Sequence, residues 1–283
     1  MENFKIVDLS VENVDKAVQV FAKAMNSSID AEKNMKTMIK SFYQFKNFIG
    51  IGLFKESSLV GFGSLIRMQS NTAWIPYVGV HPEYQGLGGG NLIMQKLLDI
   101  AHQRQWHTVE LVASKAGFPL YQKFGFRTDY QVANFEIKTI YHTGDLESLT
   151  ITDIRPQDPI PDWLLQFDKE NVGVDRSNIF QVHNLDKITL IFKENHAYGF
   201  IYRQRLGPII SDSLETARAI ICKGFLLGAS LIVLPLRTNF LDFFKEHIEL
   251  KMIPESEGTK MTFGDPIKPN LDHLISLRSM AYG

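Results

Sequence analysis

Polar and apolar positions along the chain change rhythm in an order that repeats. Residues 4–10, FKIVDLS, alternate as a strand does. From Ser10 onward, SVENVDKAVQVFAKAM sets Val14, Ala17, Val18 and Phe21 on one helical face, with Ser10 at the position of an N-cap. A Lys-rich pattern predicts a second helix over 29–45. Three β-rich runs follow, FIGIGLFKE, LVGFGSLIRMQ and TAWIPYVGVHP, the first two joined at ESS as an antiparallel hairpin. A glycine-rich stretch, HPEYQGLGGG, opens a helix expected to run to about His102. HTVELVAS then reads as a strand, PLYQKFG as a short helix and YQVANFEIK as a closing strand.

The second half repeats this order. KITLIFKENHAYGFIYRQ lies under the first hairpin, RLGPII under PYVGVH, and SLETARAIICKGFLLG under the helix that follows the glycines. SLIVLPLRTN matches HTVELVASKA, FLDFFKEHIELK matches PLYQKFGFR, and KMTF is expected as the last strand. The glycine stretch is not repeated: SDSLE stands in its place. The chain therefore reads as two α/β units, 1–140 and 150–283, divided at the polar stretch YHTGDLESLT. The terminal LDHLISLRSM reads as an amphipathic helix.

Composition narrows the class. A chain of 283 residues, 45% hydrophobic and 22% charged, suits two globular domains. The formal net charge of −1 and the lack of a basic stripe give no support for nucleic acid or a membrane surface as partner. A single cysteine, Cys222, fits a reducing compartment and sits in an apolar helix, as small buried hydrophobes do. MENFKIVDLS lacks the basic-then-apolar pattern of a signal peptide, and the longest apolar run, GFLLGASLIVLPL, reads as a helix end and a buried strand. A cytoplasmic protein is expected. The oligomeric state is left open. The eight histidines (His81, His102, His107, His142, His183, His196, His247 and His273) show no metal-ligand spacing, and no metal is expected.

Gly86, Gly88, Gly89 and Gly90 lie between a strand and a helix. The first N–H groups of a helix have no intrahelical partner, and the helix dipole adds partial positive charge there. Bare backbone at that point can approach a phosphate closely, with positive φ where the turn needs it. A glycine cluster alone can equally be a flexible helix entry. The nucleotide P-loop is excluded because no Gly-Lys-Ser/Thr follows. A dinucleotide fold is disfavoured because the loop does not follow the first strand.

VGVHPEYQGLGGGNLI resembles the acyl-CoA motif of the GNAT N-acetyltransferase superfamily, Gln/Arg-x-x-Gly-x-Gly/Ala between strand and helix, with Gln85, Gly88 and Gly90 as the matches. About thirty residues on, PLYQKFGFR resembles its closing motif. Residues 4–138 carry the resemblance, and FDKENVGVDR with RLGPIISD resembles the second half of a bacterial group with a degenerate GNAT-like C-terminal domain. The resemblance implies a tandem α/β (α+β) fold, each half a mixed sheet flanked by helices. It implies acetyl-CoA as donor, with no metal, and a primary amine of a small molecule as acceptor, attacking directly in a ternary complex. Amides of Gln85, Gly86, Leu87, Gly88, Gly89, Gly90 and Asn91 are implied to hold the pyrophosphate. The Val78-Gly79-Val80 backbone is implied to pair with the pantetheine arm, Gly79 and Pro76 suiting a strand that stops pairing.

Tyr121 falls where the superfamily often has a tyrosine near the CoA sulfur. As a phenol it can donate to a departing thiolate, or it can simply be a core aromatic. The glutamate that many members carry on the strand before the loop is replaced by Trp74. Glu110 lies on the next strand, where alternation can turn it to solvent. Glu83 reads as an exposed turn carboxylate. Asp168, Asp175 and Arg176 read either as a polar wall selecting the acceptor or as turn chemistry around Gly173. MIKSFYQFKNF reads as an acceptor lid or as core. A non-catalytic acyl-CoA sensor or scaffold is the alternative function, motivated by the missing glutamate. An acyltransferase taking a long-chain acyl or aminoacyl donor is a third.

Overall fold

A computed structural model describes residues 3–44, 47–68, 71–155, 158–177, 180 and 188–281. His183 and part of the 38–48 segment fall outside them. The chain divides by packing into two compact units. The first comprises Met1–Leu111, Pro119–Phe126 and Phe263–Asp265. The second comprises Val112–Phe118, Arg127–Thr262 and Pro266–Gly283. The 141–150 stretch lies inside the second. No helix among the described residues is long and apolar enough to cross a membrane.

The first unit runs β1 (Phe4–Leu9), α1 (Val14–Ala24), α2 (Ile29–Phe42), β2 (Phe48–Lys55), β3 (Ser58–Arg67), β4 (Thr72–Trp74), β5 (Val78–Val80), α3 (Gly89–Gln103), β6 (Thr108–Ser114) and α4 (Phe118–Lys123). Ser10 opens the first helical segment through a 3-10 turn, with Asn13 Oδ1 accepting the Ser10 N–H at 3.0 Å. α2 is capped by Ser28, whose hydroxyl accepts the Ala31 N–H at 3.3 Å. The strands are ordered β1-β2-β3-β4-β6, antiparallel up to β4 and parallel between β4 and β6. Alternation along β3 assigns the two faces. A Cβ on Gly61 or Gly63 would lie 3.0 or 2.4 Å from Ile93, so these positions face α3. Phe62 stacks on Tyr77, which meets Phe21 edge-on, so the other positions face α1. α3 buries Ile93, Met94, Leu97, Ile100 and Ala101, one stripe at helical spacing. The aromatic segment before β2 packs as core: Phe42 is fully buried, it stacks on Phe48, and Tyr43 donates to the Leu9 carbonyl.

The second unit holds β7 (Arg127–Ile140), β8 (Thr150–Ile154), α5 (Asp162–Val172), β9 (Ile188–Lys193), β10 (Ala197–Tyr202), β11 (Arg205–Ser211), α6 (Leu214–Leu226), β12 (Leu231–Pro235), α7 (Thr238–Lys245), β13 (Ile248–Gly264) and β14 (Leu274–Ser276). Its strands are ordered β13-β7-β12-β11-β10-β9-β8, with β14 on β11. The hairpin, helix, strand and short-helix succession predicted from the repeat is present. Two expectations are corrected. KMTF is not a separate strand but the end of β13, a strand of 17 residues with irregular register against β7. LDHLISLRSM is a turn and the buried strand β14, not a helix. Its apolar residues Leu274, Ile275 and Leu277 are satisfied by strand pairing on β11 and β12.

Candidate active site

The glycine-rich stretch lies between β5 and α3. His81 to Gln85 form a 3-10 turn, and Gln85 is held twice: its N–H donates to the Pro82 carbonyl at 3.2 Å and its Nε2 to the Val80 carbonyl at 2.9 Å. Gln85 therefore fixes the loop to the end of β5. Gly86 and Gly88 have φ of +76° and +88°, the left-handed region that disfavours any residue with a Cβ. A Cβ at either position would meet nothing within 4 Å. Gly88 is the N-cap of α3 and supplies no side-chain cap, and the first turn carries no acidic residue. Among the described residues, no protein group accepts from the amides of Gly86, Leu87 or Gly88. Gly89 differs: it is buried, and a Cβ there would lie 2.6 Å from Leu53 Cδ2. Leu87 is exposed, while Asn91 accepts from Lys123 Nζ at 3.0 Å, bringing a cation beside the loop.

β5 pairs with β3 in the register Gly61↔Val80, Phe62↔Gly79 and Gly63↔Val78. The flanking bonds Ser64 N–H to Tyr77 O and His81 N–H to Val60 O make Phe62 and Gly79 the bonded pair. Val78 and Val80 consequently turn their N–H and C=O groups to the other edge. That edge has no strand among the described residues, and Gln85 takes only the Val80 carbonyl. The opening begins at Ile75, whose N–H donates to the Glu110 carbonyl at 2.8 Å. Before it, Trp74 pairs with Glu110. Gly79 approaches α1 closely, a Cβ there falling 2.9 Å from Phe21.

Glu110 does not face solvent. It is 7% exposed, and its register with Trp74 and Ile66 puts it on the α1 side of the sheet, next to the opening. The expectation of a solvated carboxylate fails because this part of β6 is covered on both faces. Glu83 is exposed, as expected of a turn residue. Tyr121 is buried on α4, edge-on to Phe126 with centroids 5.9 Å apart. Burial pushes its hydroxyl up to about 12, and among the described residues that hydroxyl has no hydrogen-bond partner.

The three candidate acceptor residues lie in the second unit. Asp168 and Arg176 are 1% and 4% exposed and form a bidentate pair, Nη2 to Oδ1 at 2.8 Å and Nε to Oδ2 at 3.0 Å. The Tyr198 hydroxyl also donates to Asp168. Burial acts to lower the Arg176 pKa, but the Asp168 and Tyr198 oxygens outweigh it and raise it. Asp175 stands apart, accepting the Ser177 N–H at 3.0 Å in an Asx turn. The structure thus brings Asp168 and Arg176 together with Tyr198, a partner thirty residues away that no spacing rule pointed to. Cys222 is fully buried and its thiol is pushed up to about 11 by desolvation, the state of an inert core residue.

The sequence profile of the acetyltransferase (GNAT) family matches residues 19–126. Residues 19–126 thus carry the pattern of a GNAT acetyltransferase domain. That match takes in β5, the glycine loop, α3, Glu110 and Tyr121. The uncharacterized N-acetyltransferase YitH of Bacillus subtilis is 28% identical over 209 residues, 68% of each chain. Two solved structures share the fold. One from Pyrococcus horikoshii, assigned there as an acetyltransferase, superposes with a TM-score of 0.85 at 24% identity, covering 100% of this chain and 97% of that one. A tandem GNAT protein from the clavulanic acid biosynthesis pathway superposes at 0.59 with 11% identity, covering 94% of this chain and all of that one. The GNAT-like architecture therefore extends over both halves.

Proposed function

We propose that this protein is an acyl-CoA-dependent N-acyltransferase that moves an acetyl group from acetyl-CoA to a primary amine of a small molecule. The observation that carries the reading is the pairing of two features. Gly86 and Gly88 leave free amides and open space at an uncapped helix end, and β5 beside them has an open edge. The donor set fits a diphosphate: backbone N–H groups, a helix dipole, no carboxylate in the first turn, and the Lys123 ammonium nearby. Val78 and Val80 offer backbone groups to an amide-bearing arm lying along the strand, as an added strand would. Gln85 acts in this reading as the brace between loop and strand, its own amide already engaged.

In the reaction the amine nitrogen attacks the thioester carbonyl carbon, the C–S bond breaks, and the nitrogen loses a proton. Glu110, a carboxylate at the head of the opening, takes that proton, directly or through one water. It fills the role that Trp74 leaves empty. Tyr121 serves the leaving sulfur as a hydrogen-bond donor. A phenol near 12 facing a thiol of about 8.5 makes full proton transfer unfavourable by about 5 kcal/mol. The phenol therefore keeps its proton and stabilises the thiolate through the bond. Asp168 and Arg176, paired with each other and with Tyr198 donating to Asp168, support the shape of the second unit. The protein works in the cytoplasm in this reading.

Calorimetry with acetyl-CoA, followed by thiol release over a panel of primary amines, tests this. Binding with turnover on at least one amine is expected. Absence of heat at millimolar donor overturns the reading. Binding without turnover on any amine, unaltered in Glu110→Gln, replaces it with the sensor alternative.

A further inference from the structure

The two units treat the same strand edge in opposite ways. In the first, Gly61 of the hairpin lies opposite Val80, and Val80 faces an open edge. In the second, Gly199 holds the matching place in the hairpin and lies opposite Ile209. β11 and β12 run parallel for only two pairs, Arg205↔Leu231 and Leu206↔Ile232, and then part as β4 and β6 do. Here the gap is filled. Ile209 pairs with Ser276 and Ile210 with Leu274, the Ser211 N–H donates to the His273 carbonyl at 3.0 Å, and the Leu277 N–H donates to the Val233 carbonyl at 3.0 Å. β14 is thus bonded to β11 on one side and touches β12 on the other. Leu274, Ile275, Ser276 and Leu277 are at most 2% exposed.

The segment leading into β14 is tied down. His273 Nδ1 meets Asn171 Oδ1 at 2.7 Å, the Asn270 N–H donates to the Asn171 carbonyl at 2.7 Å, and Arg237 binds the Leu271 carbonyl and Asp272. At the parting of the strands Gly207 has φ of +144°, and a Cβ there would lie 2.4 Å from the Leu277 carbonyl oxygen. The helix end beside the gap is closed as well. Ser213 caps α6 by accepting the Thr216 N–H at 3.1 Å, and Glu215 adds a negative charge in the first turn. α3 has neither feature.

We propose that the C-terminal segment, residues 270–277, is a built-in occupant of the second unit's strand gap: it takes the backbone groups that the first unit leaves for the donor's arm, so the second unit accepts no acyl-CoA and the chain binds one. The donor's identity rests on the function proposed above, whereas the occupancy of the gap does not.

Hydrogen exchange on the full chain separates the two. Without ligand, the amides of Ser211 and Leu277 exchange at least tenfold more slowly than those of Val78 and Val80. Comparable, rapid exchange at all four overturns the proposal, whatever binds. With saturating acetyl-CoA, slowing is expected in 78–91 alone, with one equivalent bound by calorimetry. Two equivalents, or altered exchange in 205–213 or 273–277, overturns it. Failure of any acetyl-CoA to bind refutes the donor assignment and leaves the ligand-free exchange to decide the strand claim. In Gly207→Ala, the Cβ pushes Leu277 away, and exchange at Ser211 and Leu277 accelerates at least tenfold while the acetyl-CoA Kd stays within twofold.

Discussion

Gly88 and Gly89 are neighbours that the structure uses for different reasons, and replacing each by alanine separates binding from packing. At Gly88 the backbone sits at φ +88° and a Cβ meets nothing within 4 Å. The cost to the free protein is conformational, about 1–2 kcal/mol for an L-residue in that region, offset by roughly 0.4–1 kcal/mol from a stiffer unfolded chain. The net loss of stability is therefore about 1 kcal/mol. The new methyl projects into the space in front of the free amides. If it costs the bound diphosphate one charge-assisted hydrogen bond, about 1.5–3 kcal/mol is lost, and the Kd for acetyl-CoA rises roughly 10- to 150-fold. At Gly89 the order reverses. A Cβ stands 2.6 Å from Leu53 Cδ2, so overpacking of about 1–3 kcal/mol opposes the roughly 1 kcal/mol by which alanine favours a helix. Its backbone amide is retained, and the Kd is expected to stay within a few-fold. Urea unfolding and calorimetry on both variants give the four numbers. If Gly88→Ala binds acetyl-CoA as the parent does, or if the two variants weaken binding equally, the phosphate cradle is refuted.

Three further outcomes are expected. Tyr121→Phe lowers kcat by roughly 10- to 150-fold with little change in KM, because the lost bond of about 1.5–3 kcal/mol forms only as the sulfur becomes anionic. An upward-shifted phenol is protonated throughout the range in which an ordinary tyrosine ionises and stabilises the fold below pH 10, a contribution lost as pH rises through about 12. An ultraviolet titration of Tyr121→Phe should thus match the parent up to pH ~10. Glu110→Gln lowers kcat at least tenfold with KM and urea stability little changed, while a purely structural role would lower stability and leave kcat of the folded fraction intact. Asp168→Ala leaves the Arg176 guanidinium buried without its carboxylate and is expected to cost about 3–5 kcal/mol in urea unfolding, and acetyl-CoA affinity in the folded fraction should be unchanged.

Much of this was legible in the residues. Long periodic stretches, such as 89–103 and 214–226, declare themselves as helices because their apolar stripes span several turns. The glycine loop was legible as a cluster of glycines between a strand and a helix, and positive φ at Gly86 and Gly88 is the physical content of that pattern. The second unit's strand gap was not legible. β14 is three residues long, and Leu271, Leu274, Ile275 and Leu277 satisfy a helical stripe as readily as a buried strand. Periodicity cannot arbitrate at that length; the open edge of β11 decides. Glu110 was misjudged for a related reason. Alternation says which residues share a face but not which face is covered, and at Glu110 the face is buried. The Tyr198 contact with Asp168 and Arg176 joins residues far apart in sequence and leaves no local signal. The brace from Gln85 to Val80 could have been suspected, since a long amide side chain at the end of a turn often finds the carbonyl of the strand it leaves.

The bare backbone of Gly61 and Gly63 lets α3 sit low on the sheet, with Ile93 pressed where two side chains would otherwise stand. A larger residue at either site would lift the whole helix and, in the function proposed above, carry the anchoring point for the donor's phosphates away from the strand along which the arm runs. On that reading the height of one helix acts as a ruler for the ligand. A donor whose tether is a few atoms short would be gripped correctly at its charged end and would bring its thioester to the wrong rung of the sheet.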